Sequence, residues 1–134
     1  TPETMESLSV GVFTLSNYCG FKPDSKIYLI IDPVDFRKAV DGLTIIVQEV
    51  LKLNPMEQAC FIFCNKQHDK IKIIEWDFNG FWLMYKRLES GKFKWPKSAQ
   101  TVITISNEQY NWLMNGLDIC QRDGFSEVLA RKVI

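Results

Sequence analysis

The stretch KIKIIEWDFNGFWLMYKRLESGKFKW, residues 70–95, decides the fold. It opens by setting Lys70 and Lys72 against Ile71 and Ile73, the two-residue period of a strand. Asp77-Phe78-Asn79-Gly80 then reverses the chain, because Asn-Gly tolerates the positive φ of a tight hairpin. Residues 81–88 return. Glu89-Ser90-Gly91 fits a three-residue loop with glycine at its left-handed position, and residues 92–95 follow as a further strand until Pro96. Pairing Trp76 near Phe81 or Leu83, and Leu88 near Lys92, divides this antiparallel meander into two faces. One face carries Lys72, Ile74, Trp76, Phe81, Leu83, Tyr85, Arg87, Phe93 and Trp95, aromatic enough to be the core face. The other carries Ile71, Ile73, Glu75, Trp82, Met84, Lys86, Leu88, Lys92 and Lys94, and gathers three lysines beside Trp82.

Upstream, residues 26–31 (KIYLII) and 60–65 (CFIFCN) are rich in β-branched and aromatic side chains and read as strands. Between them Asp32 is placed to cap a helix and Pro33 to begin it, since a missing N–H costs nothing at the first helical position. Phe36, Val40, Leu43, Val47 and Val50 recur at spacings of four and three, an apolar stripe that carries the helix to about residue 53. Gly42 inside it costs about 1 kcal/mol relative to Ala, which implies a close neighbour. Asn54-Pro55 stops the helix. Downstream, residues 101–105 read as a strand, Ser106-x-x-Gln109 as a capping box opening a short helix, and Gly116 as the residue that ends it. The expectation is an α+β fold in which an antiparallel meander packs against one long helix, with a short C-terminal helix, in a single domain at 26–118. Residues 1–25 form an N-terminal extension with an apolar run at 10–15. Residues 119–134 are expected to form a tail, with a helical turn or two around Val128 and Leu129.

Sixteen Lys and Arg balance sixteen Asp and Glu, and 46% apolar with 24% charged residues is ordinary globular composition. That excludes a disordered tail, a collagen-like repeat and a disulfide-dense toxin. The neutral total hides a basic segment. Residues 64–97 hold eight positive and four negative side chains, a net +4, which leaves −4 for the remainder. No run of 18 apolar residues exists, so no membrane span is expected. The first residues lack a secretory pattern, with Met5 a natural start and residues 1–4 left open. Cys19, Cys60, Cys64 and Cys120 read as reduced thiols of a cytoplasmic protein.

Lysines interleaved with aromatics suit nucleic acid. The cations neutralise phosphates and release counterions, and an indole stacks on an unpaired base for about 1–3 kcal/mol. The same lysines equally fit the wet face of a half-buried sheet, where they block edge-to-edge aggregation. Asp32, Asp35, Asp41 and Asp77 would make a two-metal nuclease only by converging. Local geometry accounts for the first three: Asp32 caps, Asp35 lies in the first helical turn, and Asp41 is four residues from Arg37. Cys60, Cys64 and His68 are spaced about 13 Å apart on a strand, too far for one tetrahedral ion. No Gly-rich phosphate loop, G-x-S-x-G or H-E-x-x-H occurs. No catalytic residue, metal or cofactor is expected.

Taken together, KIYLIIDPVDFRKAVDGLTIIVQEVLKLNP and FIFCNKQHDKIKIIEWDFNGFWLMYKRLESGKFKWP closely resemble the TnpB accessory proteins of the insertion-sequence-66 family, which are unrelated to the RNA-guided nuclease sharing that name. The resemblance spans roughly residues 26–118. Its Asp-x-Arg-Lys and Asp-Gly-Leu motifs fall on Asp35, Arg37, Lys38, Asp41, Gly42 and Leu43, and its hairpin asparagine on Asn65. The lysine before the Trp-Asp turn falls on Lys72, and the turn itself on Trp76, Asp77, Gly80 and Phe81. The Tyr-Lys-Arg-Leu-Glu run matches residues 85–89, and the closing basic-aromatic motif matches 92–96. Ala39 stands where glycine is usual, and the loop of Asn65, Lys66, Gln67 and His68 is less cationic than in many relatives. Lys92 and Lys94 replace common arginines, keeping the charge but losing planar recognition.

The resemblance implies a bacterial protein encoded beside a separate DDE transposase and needed for efficient transposition. The expectation is a non-catalytic accessory factor contacting element-end DNA, the transposase, or both. Lys72, Lys86, Arg87, Lys92 and Lys94 would take phosphate, Trp82 would stack or be buried by a partner, and Arg37 with Lys38 would form a second patch, beside the loop of Asn65 and Lys66. The alternative is a protein–protein adaptor for the transposase without DNA affinity, and behind it a metal-dependent nuclease.

Overall fold

A computed structural model describes residues 24–120. The apolar run at 10–15, Cys19 and the tail around Val128 and Leu129 lie outside the described residues. Among the described residues five strands form one mixed sheet: β1 (Lys26–Ile30), β2 (Ala59–Cys64), β3 (Lys70–Asp77), β4 (Gly80–Arg87) and β5 (Val102–Ile105), in the spatial order β4-β3-β2-β1-β5. β1 and β2 run parallel, joined by helix α1 (Val40–Ile45), and the other neighbours are antiparallel. Helix α2 (Asn107–Met114) follows β5. The α+β class stands, and so does the hairpin register, with Trp76 opposite Phe81 and Lys72 opposite Tyr85.

The sheet is covered on both faces. One core joins Leu43 and Val47 of α1 to Phe61, Phe63 and Ile74, with Leu83 packed against it. The other joins Leu113 of α2 and Ile119 to Ile62, Ile71, Ile73, Phe93 and Trp95. The expected single core face is corrected here, for Ile71 and Ile73 are buried and Phe93 and Trp95 lie in the α2 core instead of the α1 core. The reason is the parallel β1–β2 pair, which brings a crossover helix onto one face while the C-terminal helix closes the other. The uninterrupted apolar run of β2, ACFIFC, buried at all six positions, carries that signal in the sequence.

The long helix is shorter than its stripe. α1 is helical over Val40–Ile45 and continues as a π-helical turn over Ile46–Val50. Residues 33–39 are not helical. Val34 N–H donates to the Cys64 carbonyl at 2.9 Å, so the chain first follows the end of β2. The carbonyls of Phe36 and Lys38, which a helix begun at Pro33 would offer to its own next turn, accept from the Lys72 ammonium instead. The wider π turn also moves the apolar stripe from Val50, 63% exposed, to Leu51, which packs on the core. At Gly42 the expected close neighbour is the aliphatic stem of Lys38, about 3.0 Å from where a Cβ would sit.

Residues 92–95 pair with no strand. They form an extended crossing between the two sheet edges, fastened by Phe93 N–H to the His68 carbonyl at 2.8 Å and by the Trp95 indole N–H to the Ile30 carbonyl at 3.0 Å. Leu88 pairs with Asp69 through its N–H and not with Lys92. At α2 the capping box of Ser106 and Gln109 is complete. Gly116, at φ 80°, ends the helix in a Schellman turn, with Leu117 N–H on the Trp112 carbonyl and Gly116 N–H on that of Leu113. Cys60 is disulfide-bonded, against the expectation of four reduced thiols, and Cys64 and Cys120 are free.

Candidate nucleic-acid interface

Strand direction sorts the charges. β1 and β2 rise toward the loops at 31–39 and 65–69, β3 descends from the second loop, and β4 climbs back to the crossing at 88–101. One end of the sheet therefore gathers Arg37, Lys38, Lys66, Lys70, Lys72, Lys86, Arg87, Lys92, Lys94 and Lys97 against Asp32, Asp35, Asp69 and Glu89. The opposite end carries Asp24, Glu57, Asp77 and Glu108, with Lys26 and Lys52 among them. The charge is divided along the strands, and not between the two faces as alternation alone suggests.

The loop beneath this cationic end is built by Asn65, which is buried. Its side-chain oxygen accepts from the N–H groups of Asp69 and Lys70, both at 3.0 Å, and its amide donates to the Asp69 carboxylate at 2.6 Å. That bond from Asn65, aided by Lys70 and Lys92, lowers the Asp69 pKa. Asn65 thus shapes the loop that holds Lys66 outward. Lys72 is also internally committed, with its ammonium on two carbonyls and over the Phe36 ring at 4.9 Å.

Arg37 pairs with Asp35, not with Asp41. Its side chain donates to both carboxylate oxygens, the shortest contact being 2.6 Å, and its N–H closes the same turn at 2.9 Å. Asp35 stands before the helix, in the turn at 35–37, and this Arg37 contact lowers its pKa to about 2. Arg87 similarly holds Glu89 at 2.9 Å. Lys38, Lys66, Lys86, Lys92 and Lys94 are exposed.

Trp82 does not join the lysines. It lies near the acidic end of β4, where its indole N–H donates to Asp77 at 2.9 Å, and four residues of strand put it about 13 Å from Lys86. Two side chains without a predicted site role belong to the region instead. Lys70 and Tyr85 border a hollow of about 480 Å³ with Asp35, Phe36, Arg37 and Lys72. Alternation assigns Tyr85 to the core face, but β4 is an edge strand and leaves it 54% exposed. Among the described residues no three His, Cys, Asp or Glu side chains converge as a metal site would require. Asp35 and Asp77 are separated at opposite ends of the sheet.

Fold and charge define a mixed-sheet α+β module with a cationic end framed by loops. The chain matches the family described as IS66 Orf2-like protein over residues 25–124, and it belongs to that family, which is associated with transposition of insertion sequences. It is 36% identical over 93 residues to uncharacterized protein y4hO of Sinorhizobium fredii (strain NBRC 101917 / NGR234), covering 69% of this chain and 81% of the relative. It is 37% identical over 93 residues to uncharacterized protein y4jC of the same strain, covering 69% and 80%. No solved structure matches. No helix of the described residues is long and apolar enough to cross a membrane.

Proposed function

We propose that the protein is a non-catalytic accessory factor of transposition that holds element DNA against the cationic end of its sheet. The observation that carries this is the convergence of Lys38, Lys66, Lys86, Lys92 and Lys94, all exposed, from four separate segments onto one end. Each supplies a mobile cation for a phosphate, and the acidic opposite end repels the backbone and so orients the duplex. Asn65 and Lys72 act behind this surface, one shaping the loop at 65–69 and the other fixing the turn that presents Arg37 and Lys38. The transposase is a second partner in this proposal, and Trp82, 47% exposed at the far end of β4, is the side chain it would bury.

Fluorescence anisotropy on element-end DNA tests the proposal. Binding is expected at low salt, with a slope of log affinity against log salt of about −0.9 per phosphate neutralised. The triple change Lys66→Gln, Lys92→Gln and Lys94→Gln should reduce that slope by about 2–3. Absence of binding at low salt, or an unchanged slope in the triple variant, rejects the proposal and leaves the adaptor without DNA affinity.

A further inference from the structure

β4 ends the sheet on one side, and no strand among the described residues pairs with its outer edge. Leu88 N–H donates to Asp69, and the register runs unbroken from Arg87 opposite Lys70 to Gly80 opposite Asp77. Antiparallel ladders alternate hydrogen-bonded and non-bonded pairs. The N–H and C=O groups of Leu83, Tyr85 and Arg87 are therefore turned away from β3, toward the open side.

A hollow flanks this edge on each face. Under α2, a groove of about 360 Å³ runs between the helix and β4, floored by Ile71, Ile73, Met84 and Met114 and rimmed by Lys86, Tyr110, Asn111 and Asn115. On the α1 face lies the hollow of about 480 Å³ in which Arg37, Lys70 and Lys72 outnumber Asp35. Tyr85 borders both. One side of the edge is thus a groove with an apolar floor of Ile71, Ile73, Met84 and Met114 and a polar rim, and the other is cationic.

We propose that β4 receives an extended segment of a partner protein as a sixth strand, and that this segment alternates acidic with apolar side chains. Residues directly opposite one another in a ladder share a face. Partner side chains opposite Leu83, Tyr85 and Arg87 enter the cationic hollow, and those between them meet the apolar floor of the groove under α2. Main-chain bonds supply affinity and the two hollows select the sequence. A second copy does not meet this requirement through β4, because GFWLMYKR contains no carboxylate to answer the positive charge that Asp35 leaves in excess in the hollow. β5, the other edge, offers only four residues against eight. Strand addition at β4 does not rest on the DNA reading, and its test contains no DNA.

The test uses the full chain and a fluorescein-labelled peptide of alternating glutamate and valine, matched to the eight residues of β4. Polarisation should show saturable binding. Affinity should fall at least about tenfold, roughly 1.4 kcal/mol, when the glutamates become lysines, and equally when every second peptide amide is methylated. Amide exchange at Leu83, Tyr85 and Arg87 should slow when the peptide is added. Tyr85→Pro removes one outward N–H while sparing the β3 bonds, as edge strands allow, and should abolish binding. Should that variant misfold, the methylated peptide on the unaltered protein decides. No binding, or binding indifferent to methylation or to charge reversal, overturns the proposal. So does a dimer in sedimentation that Tyr85→Pro dissociates, since β4 would then belong to a second copy.

Discussion

The Lys72 ammonium lies 2.9 Å from the Phe36 carbonyl oxygen and sits 4.9 Å from the centre of the Phe36 ring. With a second bond to the Lys38 carbonyl at 2.8 Å, it ties β3 to the turn that precedes α1. Lys72→Met keeps much of the stem but leaves both carbonyls without this donor. Hydrogen bonds to charged groups contribute about 1.5–3 kcal/mol, so urea unfolding should show a loss of that order with an unchanged m-value. Lys94→Met, at an exposed position, should stay within about 0.5 kcal/mol of the parent.

At the β3–β4 turn the positive φ falls on Phe78, at 56°, and not on the Asn79-Gly80 pair that signals the hairpin. Asn79 N–H bonds the Asp77 carbonyl around it, a γ-turn of the strained hand. Phe78 is 85% exposed, so its ring contributes little packing to offset that strain. Phe78→Gly should relieve about 1–2 kcal/mol of left-handed strain against about 0.5–1 kcal/mol of added chain entropy. A rise of several tenths of a kcal/mol, read as a higher urea midpoint, is the expected result, and a fall contradicts it.

Local signals in the sequence were legible where the chain satisfies its own needs within a few residues. Ser106 with Gln109, Gly91, Gly116 and the Trp76–Phe81 register all follow from short-range chemistry. What lay beyond it was set by distant partners. Lys72, thirty-six residues from Phe36 in sequence, takes the carbonyls that an earlier helix start would need, and nothing near Asp32 announces this. Face assignment likewise failed at Phe93 and Trp95, because alternation assumes a strand and the crossing is not one. The cationic residues were identified from charge and motif, but their gathering at one end depends on strand order. Trp82 and Lys86 share a strand face and still lie apart, since a face has length as well as side.

Asp35 offers an acid titration. Hydrogen bonds from the Arg37 side chain, then from its N–H, hold the carboxyl at about 2 against an ordinary 3.8. A lowered carboxylate contributes stability above its unfolded value and loses it as pH falls through the folded one. The turn at 35–37 should therefore persist above pH 3.8 and open as pH falls toward 2. Carboxyl-carbon NMR should place the Asp35 midpoint near 2, and Arg37→Gln should move it back toward 3.8. A midpoint that ignores the substitution would show that Arg37 is not the cause.

Cys64 gives the complementary alkaline test. It is buried at the end of β2, and burial pushes its thiol from 9.0 up to about 12. The folded protein keeps a proton that the unfolded chain releases above pH 9, so this contribution is whole below pH 9 and fades as pH rises toward 12. A single such group contributes a slope of about 1.4 kcal/mol per pH unit across that window. Tyrosines and lysines titrate there too, so the informative quantity is the stability difference between the parent and Cys64→Ala, which should narrow from about pH 9 to about pH 11. Accessibility should follow the same geometry. At about pH 8 iodoacetamide should label exposed Cys120 in the native protein and reach Cys64 only on unfolding. Equal labelling of the two thiols under native conditions would mean that β2 opens far more readily than its complete burial implies.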